Sequence, residues 1–187
     1  LIWTSIFSGG FFGGNENYHK HVFNFKWYTP FSKKIVFYQN YTFGAIKALV
    51  EGEYISSRTR FALGGTGVPY GEMLRGYTDS DIGPMIGMSS HGGNILFKYS
   101  TELRFSLSSS PTVYFILFAD AGGIWEDFND VDIFNLKRSA GFGIRLNMPM
   151  LGMIGYDIGY GFDKYDDPDI KDPPRWEQHL IFGVPLN

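Results

Sequence analysis

The 187-residue sequence contains no cysteine, which excludes a disulfide framework and a thiolate metal site. Its four histidines are predicted to lie in two loops and one strand, without the spacing of a zinc-binding helix or a catalytic triad. A Gly-x-Ser-x-Gly nucleophile sequence is also absent. We therefore expect no metal, no cofactor and no enzymatic activity. The histidines set aside in this way are His19, His21, His91 and His179.

Long apolar runs are missing as well. The longest has seven residues, Val113 to Ala119, whereas a membrane-spanning helix needs about 18. The 16 basic and 19 acidic residues give a net charge of -3 without a basic cluster, which argues against nucleic acid as a partner. The opening residues Leu1 to Thr4 resemble the middle of a strand rather than a signal peptide. We expect one domain that is a fragment of a longer chain.

Aromatic residues and glycine are abundant: 18% of the sequence is aromatic and 24 residues are glycine, yet the mean hydropathy is only -0.11. Residues 152–163 alternate, with apolar side chains at even positions from 154 onward and Gly or Asp at odd positions from 155 onward. The same alternation recurs at residues 23–31, 97–105 and 140–148. Such a period predicts strands with one apolar face, which would meet either a second sheet or lipid. Lys98, Glu102 and Arg104 on the polar face favour a wet barrel lumen over a dry sandwich core.

The predicted connections alternate in length along the whole chain. Three short turns and four long polar loops imply eight antiparallel strands with both ends on the short-turn side. Bacterial membrane barrels place short turns in the periplasm, so both termini would be periplasmic. The short turns are expected near Thr29 to Lys33, Ser108 to Thr112 and Met148 to Gly152. The long loops are expected near Phe11 to His21, Ala45 to Asn94, Glu126 to Arg138 and Asp163 to Arg175.

The longest loop carries the sequence LGGTGVPYGEMLRGYTDSDIGP, from Leu63 to Pro84. Its centre is Leu74-Arg75-Gly76-Tyr77. Downstream, in order, come TELRF, FADAG, RSAGFGIRL and LIFGVPL, which begin at residues 101, 118, 138 and 180. With these pieces the sequence resembles the BamA superfamily of outer-membrane protein assembly and translocation, the bacterial surface antigen family. The resemblance extends from about Val22 to the end of the chain.

The resemblance implies the C-terminal half of a transmembrane barrel of about sixteen strands, with residues 1–187 as one domain. A loop of about residues 45–94 would fold into the lumen, where Glu102 and Asp120 would hold Arg75, followed by Gly76 and Tyr77. The last strand would form a weak seam with the first strand of the barrel. Gly and Pro suit a weak strand edge, although the ending Leu186-Asn187 departs from the usual aromatic terminus. The seam residues are Phe182, Gly183 and Pro185.

By the same resemblance the function is expected to be insertion of outer-membrane proteins in a Gram-negative bacterium, without covalent chemistry. Unfolded outer-membrane proteins would be the substrates, and accessory assembly lipoproteins and lipid or lipopolysaccharide would be the partners. Two alternatives stay open: a relative that exports a polypeptide through its lumen, and a barrel that anchors an upstream patatin-like lipase. A self-standing eight-stranded barrel is disfavoured, because its lumen could not hold the long loop.

Overall fold

The computed structural model describes most of the chain. The described residues are 1–13, 16–67, 71–79, 81–86, 89–148, 152–164 and 174–183.

The main sheet is antiparallel and has eight strands, and each of them pairs with the next strand of that sheet in chain order. Eight strands confirm the predicted all-β architecture. A separate hairpin of two-residue strands lies inside the longest connection and was not predicted, because two residues are too few to show a period. The strands are β1 (Ile2–Ser8), β2 (Tyr18–Ser32), β3 (Ile35–Ala48), β4 (Met85–Ile86), β5 (Ser89–Ser90), β6 (Ile95–Ser109), β7 (Thr112–Trp125), β8 (Lys137–Met148), β9 (Gly152–Gly161) and β10 (Trp176–Gly183).

Helical structure in the described part of the chain is limited to two single 3-10 turns, Gly10–Phe12 and Phe128–Asp130. No described helix is long and apolar enough to cross a membrane. Two of the predicted loops are shorter in the structure. β3 continues to Ala48, beyond the predicted loop start at Ala45, and β2 begins at Tyr18, so His19 and His21 lie on a strand rather than in a loop. Their rings pack against Trp3 and Phe7 across the β1–β2 pair, and such aromatic cross-strand contacts favour the extended chain.

The sheet has two chemically different faces, as the alternation predicts. We call the face covered by the longest connection the inner face and the opposite one the outer face. The inner face buries polar side chains from β3 to β10, including Lys98, Glu102, Asp120, Arg145 and Asp157. The outer face leaves large apolar side chains exposed, among them Phe23, Phe25, Tyr41, Leu117, Phe142, Ile144, Leu180 and Phe182. A soluble domain rarely exposes an apolar surface of this extent.

The hydrophobic core lies between the inner face and residues 49–94, which we call the long loop. Leu63 and Leu74 of the loop are fully buried and pack with Leu96 of β6 and Ile124 of β7. Arg60 of the long loop also forms a bidentate salt bridge with Glu126, with N–O distances of 2.7 and 2.9 Å. The long loop is therefore packed onto the sheet as part of the domain.

Candidate functional site

Arg75 lies at the deepest point of the long loop and is completely buried. Its Nε and Nη2 atoms donate to the two carboxylate oxygens of Asp120, each at 2.7 Å. Its Nη1 atom donates to Glu102 Oε1 at 2.7 Å and lies 3.6 Å from Asp157 Oδ2. The guanidinium also stacks on the ring of Phe118, 3.7 Å from the ring centroid. Each side-chain nitrogen of Arg75 therefore has an acceptor, as burial of a charge requires.

The register of the strands explains why these carboxylates meet. Glu102 of β6 pairs with Phe118 of β7, and Asp120 follows Phe118 on the same face two residues later. Glu102 and Asp120 are thus diagonal neighbours, close enough for one guanidinium to bridge them. Asp157 arrives from β9, where it pairs with Gly143.

Glycines on β8 and β9 create the space that these groups fill. A Cβ atom at Gly141 would lie 2.6 Å from the Phe118 ring, and one at Gly155 would lie 2.8 Å from Arg145. At Gly143 the carboxylate of Asp157 occupies the volume that a side chain would need. The glycines that the alternation placed on the polar face of β8 and β9 therefore leave a recess in the inner face.

The charges of the site balance. Arg104 donates through Nε to Glu102 Oε2 at 2.8 Å, and Arg145 binds Asp157 through both terminal nitrogens. Three arginines thus face three carboxylates. Arg104 binds the Glu102 oxygen that Arg75 leaves free, and Arg145 binds both oxygens of Asp157. We call these six residues the charge cluster: Arg75, Arg104, Arg145, Glu102, Asp120 and Asp157. Burial alone would lower the pKa of Arg75, but Asp120 and Glu102 more than offset it and raise that pKa above its ordinary value.

The two residues after Arg75 attach the long loop to the last strands. Gly76 has a left-handed backbone (φ 84°) and donates its N–H to Nε2 of His179 at 2.9 Å. Tyr77 donates its hydroxyl proton to the Arg138 carbonyl at 2.8 Å and accepts the Asp163 N–H at 3.3 Å. Burial is the main reason that the pKa of Tyr77 rises to about 12. The Arg75–Tyr77 segment therefore contacts five strands, from β6 to β10.

Sequence comparison assigns this arrangement to a family, because the model of the Omp85 superfamily domain matches residues 2–184. The chain belongs to the Omp85 superfamily. Its members are outer-membrane β-barrels, which accounts for the apolar outer face and the polar inner face of this Omp85 domain. No curated protein sequence matches the chain.

Among solved structures, this Omp85 domain is similar to BamA from Haemophilus ducreyi, crystallised without POTRA domains 1-3. The TM-score is 0.69 at 20% sequence identity, and the match covers 89% of this chain and 35% of that one. The likeness shows a shared fold, and the chain spans about a third of that BamA structure. The eight strands of the main sheet, in which β1 and β10 are not paired with each other within the described residues, therefore share their fold with part of that BamA structure.

The site residues predicted from sequence fall into two groups in this Omp85 domain. Arg75, Gly76, Tyr77, Glu102 and Asp120 come together around the deepest point of the long loop. The seam residues lie elsewhere: Phe182 and Gly183 pair with Ile154 and Met153 at the end of β10, and the Phe182 side chain is 70% exposed on the outer face. Pro185 lies outside the described residues.

Sequence reasoning missed four members of this Omp85 site, namely Arg104, Arg145, Asp157 and His179. The alternation placed the first three in polar rows, but it gave no sign of which loop residue they face. His179 was considered only as a metal ligand or a member of a catalytic triad. Among the described residues, no group of three or more His, Cys, Asp or Glu is arranged to hold a metal ion.

Proposed function

We propose that this Omp85 domain is the C-terminal half of the barrel of an outer-membrane protein insertase. It lies in the bacterial outer membrane with its termini on the periplasmic side. Residues 1–187 act as one unit, with the long loop folded into the lumen. Catalysis here means lowering the barrier to strand insertion, without covalent chemistry. Its substrates are unfolded outer-membrane proteins, and its partners are accessory assembly lipoproteins and lipid or lipopolysaccharide.

The complete burial of Arg75 in the charge cluster is the observation that carries this proposal. It fixes a loop of more than forty residues to β6, β7 and β9, so these strands and the loop form a rigid wall. Removing one partner from such a buried set costs about 3–5 kcal/mol. A rigid wall beside a less constrained last strand is what strand templating needs, because only one edge should open.

The last strand supplies that edge. In the described residues β10 pairs only with β9 and spans 8 residues, whereas β2 and β6 span 15 each. An unpaired edge offers backbone N–H and C=O groups to an incoming strand. Phe182 and Gly183, together with Pro185 of the following segment, are the seam residues of this proposal.

The deciding experiment uses the full-length protein in liposomes with a urea-unfolded outer-membrane barrel as substrate. We expect the wild type to accelerate substrate folding, measured by protease protection over time, relative to empty liposomes. Arg75→Gln should reduce the acceleration at least about tenfold. Loss of the buried ion pairs costs more than about 1.4 kcal/mol, the free energy that corresponds to a factor of ten. Arg58→Gln is the matched control, since Arg58 is an exposed arginine of the same loop.

Other results would point to other activities. If a soluble polypeptide enters the lumen and becomes protected from protease, and no substrate barrel folds, the function would be polypeptide translocation rather than insertion. Phospholipid hydrolysis by the full-length protein, with neither transport activity, would make this domain the anchor of an upstream lipase.

A further inference from the structure

His179 joins the long loop to the last strand by an interaction separate from the charge cluster. Its ring lies on the inner face of β10 and is 6% exposed. Nε2 accepts the Gly76 N–H at 2.9 Å, across 103 residues of sequence. No other hydrogen bond between described residues links the long loop to β10. Arg75, by contrast, contacts carboxylates on β6, β7 and β9 only.

The backbone of Gly76 reaches β10 because β9 presents no side chains beneath it. A Cβ atom at Gly159 would lie 2.7 Å from the Gly76 nitrogen, and one at Gly161 would lie 2.5 Å from the Gly76 oxygen. The loop therefore passes directly over the β9 backbone. On β10, Glu177 pairs with Gly159 and His179 pairs with Asp157. The His179 ring therefore meets the loop just beyond the point where the loop crosses β9.

The chemistry of the contact is restrictive. A backbone N–H needs an acceptor, and an imidazole nitrogen accepts only when the ring is neutral and the other nitrogen carries the proton. Leaving a buried N–H without a partner is costly. The Gly76 N–H thus ties β10 to the loop through one atom of one side chain.

We propose that His179 is a positioning residue that couples the last strand to the long loop. While Nε2 holds the Gly76 N–H, β10 stays against the loop and β9. When this single bond breaks, β10 is held only by its pairing with β9, and the loop remains fixed by Arg75. Movement of β10 away from the loop then requires loss of one hydrogen bond rather than extraction of a buried arginine. The link to seam opening rests on the proposed function, whereas the coupling itself does not.

The test is hydrogen–deuterium exchange of the full-length protein in lipid nanodiscs without substrate. His179→Phe keeps a ring of similar size but removes the acceptor, and His179→Gln retains an acceptor at a similar reach. In His179→Phe, exchange across residues 176–183 should be roughly tenfold faster, the change in an opening equilibrium expected for one buried hydrogen bond. Residues 53–67 of the loop should exchange at the wild-type rate. His179→Gln should protect residues 176–183 nearly as well as histidine does.

Three results would overturn the coupling. One is equal exchange across β10 in all three proteins. The second is faster exchange spread evenly over β6 to β10 in His179→Phe, which indicates general destabilisation. The third is His179→Gln behaving like His179→Phe. Because no substrate is present, faster exchange confined to β10 in a protein that folds no substrate would uphold the coupling and reject the proposed function.

Discussion

At the scale of single residues, the geometry of the guanidinium group explains why the loop carries arginine at position 75. A planar fork with five donors meets Asp120 with two parallel bonds while a third nitrogen reaches Glu102. Its flat face also stacks on Phe118. Arg104 is held in a similar way, since its guanidinium lies 4.0 Å from the centroid of the Tyr38 ring.

Arg75→Lys tests this requirement for shape as opposed to charge. An ammonium keeps the positive charge but cannot form the bidentate contact with Asp120 while also reaching Glu102, so we expect the loop to open more often. The measurement is the rate of protease cleavage within the long loop of the membrane-embedded protein. It should rise at least about tenfold in Arg75→Lys and further in Arg75→Gln, which loses about 3–5 kcal/mol. Arg58→Gln should cleave at the wild-type rate, and a wild-type rate in Arg75→Lys would show that charge alone suffices.

At the scale of the element, β9 has a divided role. Its even positions present Ile154, Tyr156, Ile158 and Tyr160 to the outer face, and its odd positions bury Gly155, Asp157, Gly159 and Gly161. Glycine usually weakens a strand. Here the loss is offset because Arg145 and the Gly76 backbone occupy the vacant volume. The strand is thus a docking surface for the loop as well as a part of the barrel wall.

Gly159→Ala should detach the Arg75–Tyr77 segment without removing any of its polar partners. The added methyl group would lie 2.7 Å from the Gly76 nitrogen, and backbone atoms on both sides leave little room to adjust, so we expect a cost of about 1–3 kcal/mol. Loop cleavage by protease should accelerate accordingly. Gly183→Ala is the control, because its methyl group would meet only the Met153 side chain at 3.5 Å. Equal cleavage in both variants would argue against close docking.

At the scale of the whole molecule, the sheet separates two environments. The centre of the outer face carries a cross-strand row of Leu103, Leu117, Phe142 and Ile158. Leu117 and Phe142 are 45% and 41% exposed. Because the family consists of outer-membrane barrels, we expect this row to face the hydrocarbon of the bilayer.

Leu117→Arg should therefore destabilise the membrane-embedded protein by about 2–4 kcal/mol, because a charge on the lipid face near the bilayer midplane is costly. The measurement is the free energy of unfolding in lipid vesicles by urea titration. Ile133→Arg provides the comparison, since Ile133 is a similarly exposed apolar residue in the loop between β7 and β8. It should change the free energy by less than about 0.5 kcal/mol. Equal effects at both positions would indicate that the outer face meets water.

The strand pattern was predictable because burial in a sheet has a period of two, and that period is written directly in residues such as 152–163. Strand ends were less predictable, as His19 and His21 show, because polar residues continue a strand wherever a neighbouring strand offers hydrogen bonds. Arg75, Glu102 and Asp120 were found through a family resemblance carried by short motifs. Arg104, Arg145 and Asp157 were seen as polar but could not be paired, because alternation gives the face of a residue and not its partner across the lumen.

The sequence alone determined the all-β class, the eight strands of the main sheet, the apolar and polar faces and the long loop, because each depends on neighbours in the chain. Only the tertiary structure decided that six charged residues form a neutral cluster and that His179 accepts a hydrogen bond from the Gly76 N–H. Those contacts join residues up to 103 positions apart. They depend on strand register and on which glycines leave space for another residue. A local sequence pattern gives neither the distance between residues on different strands nor the space between them.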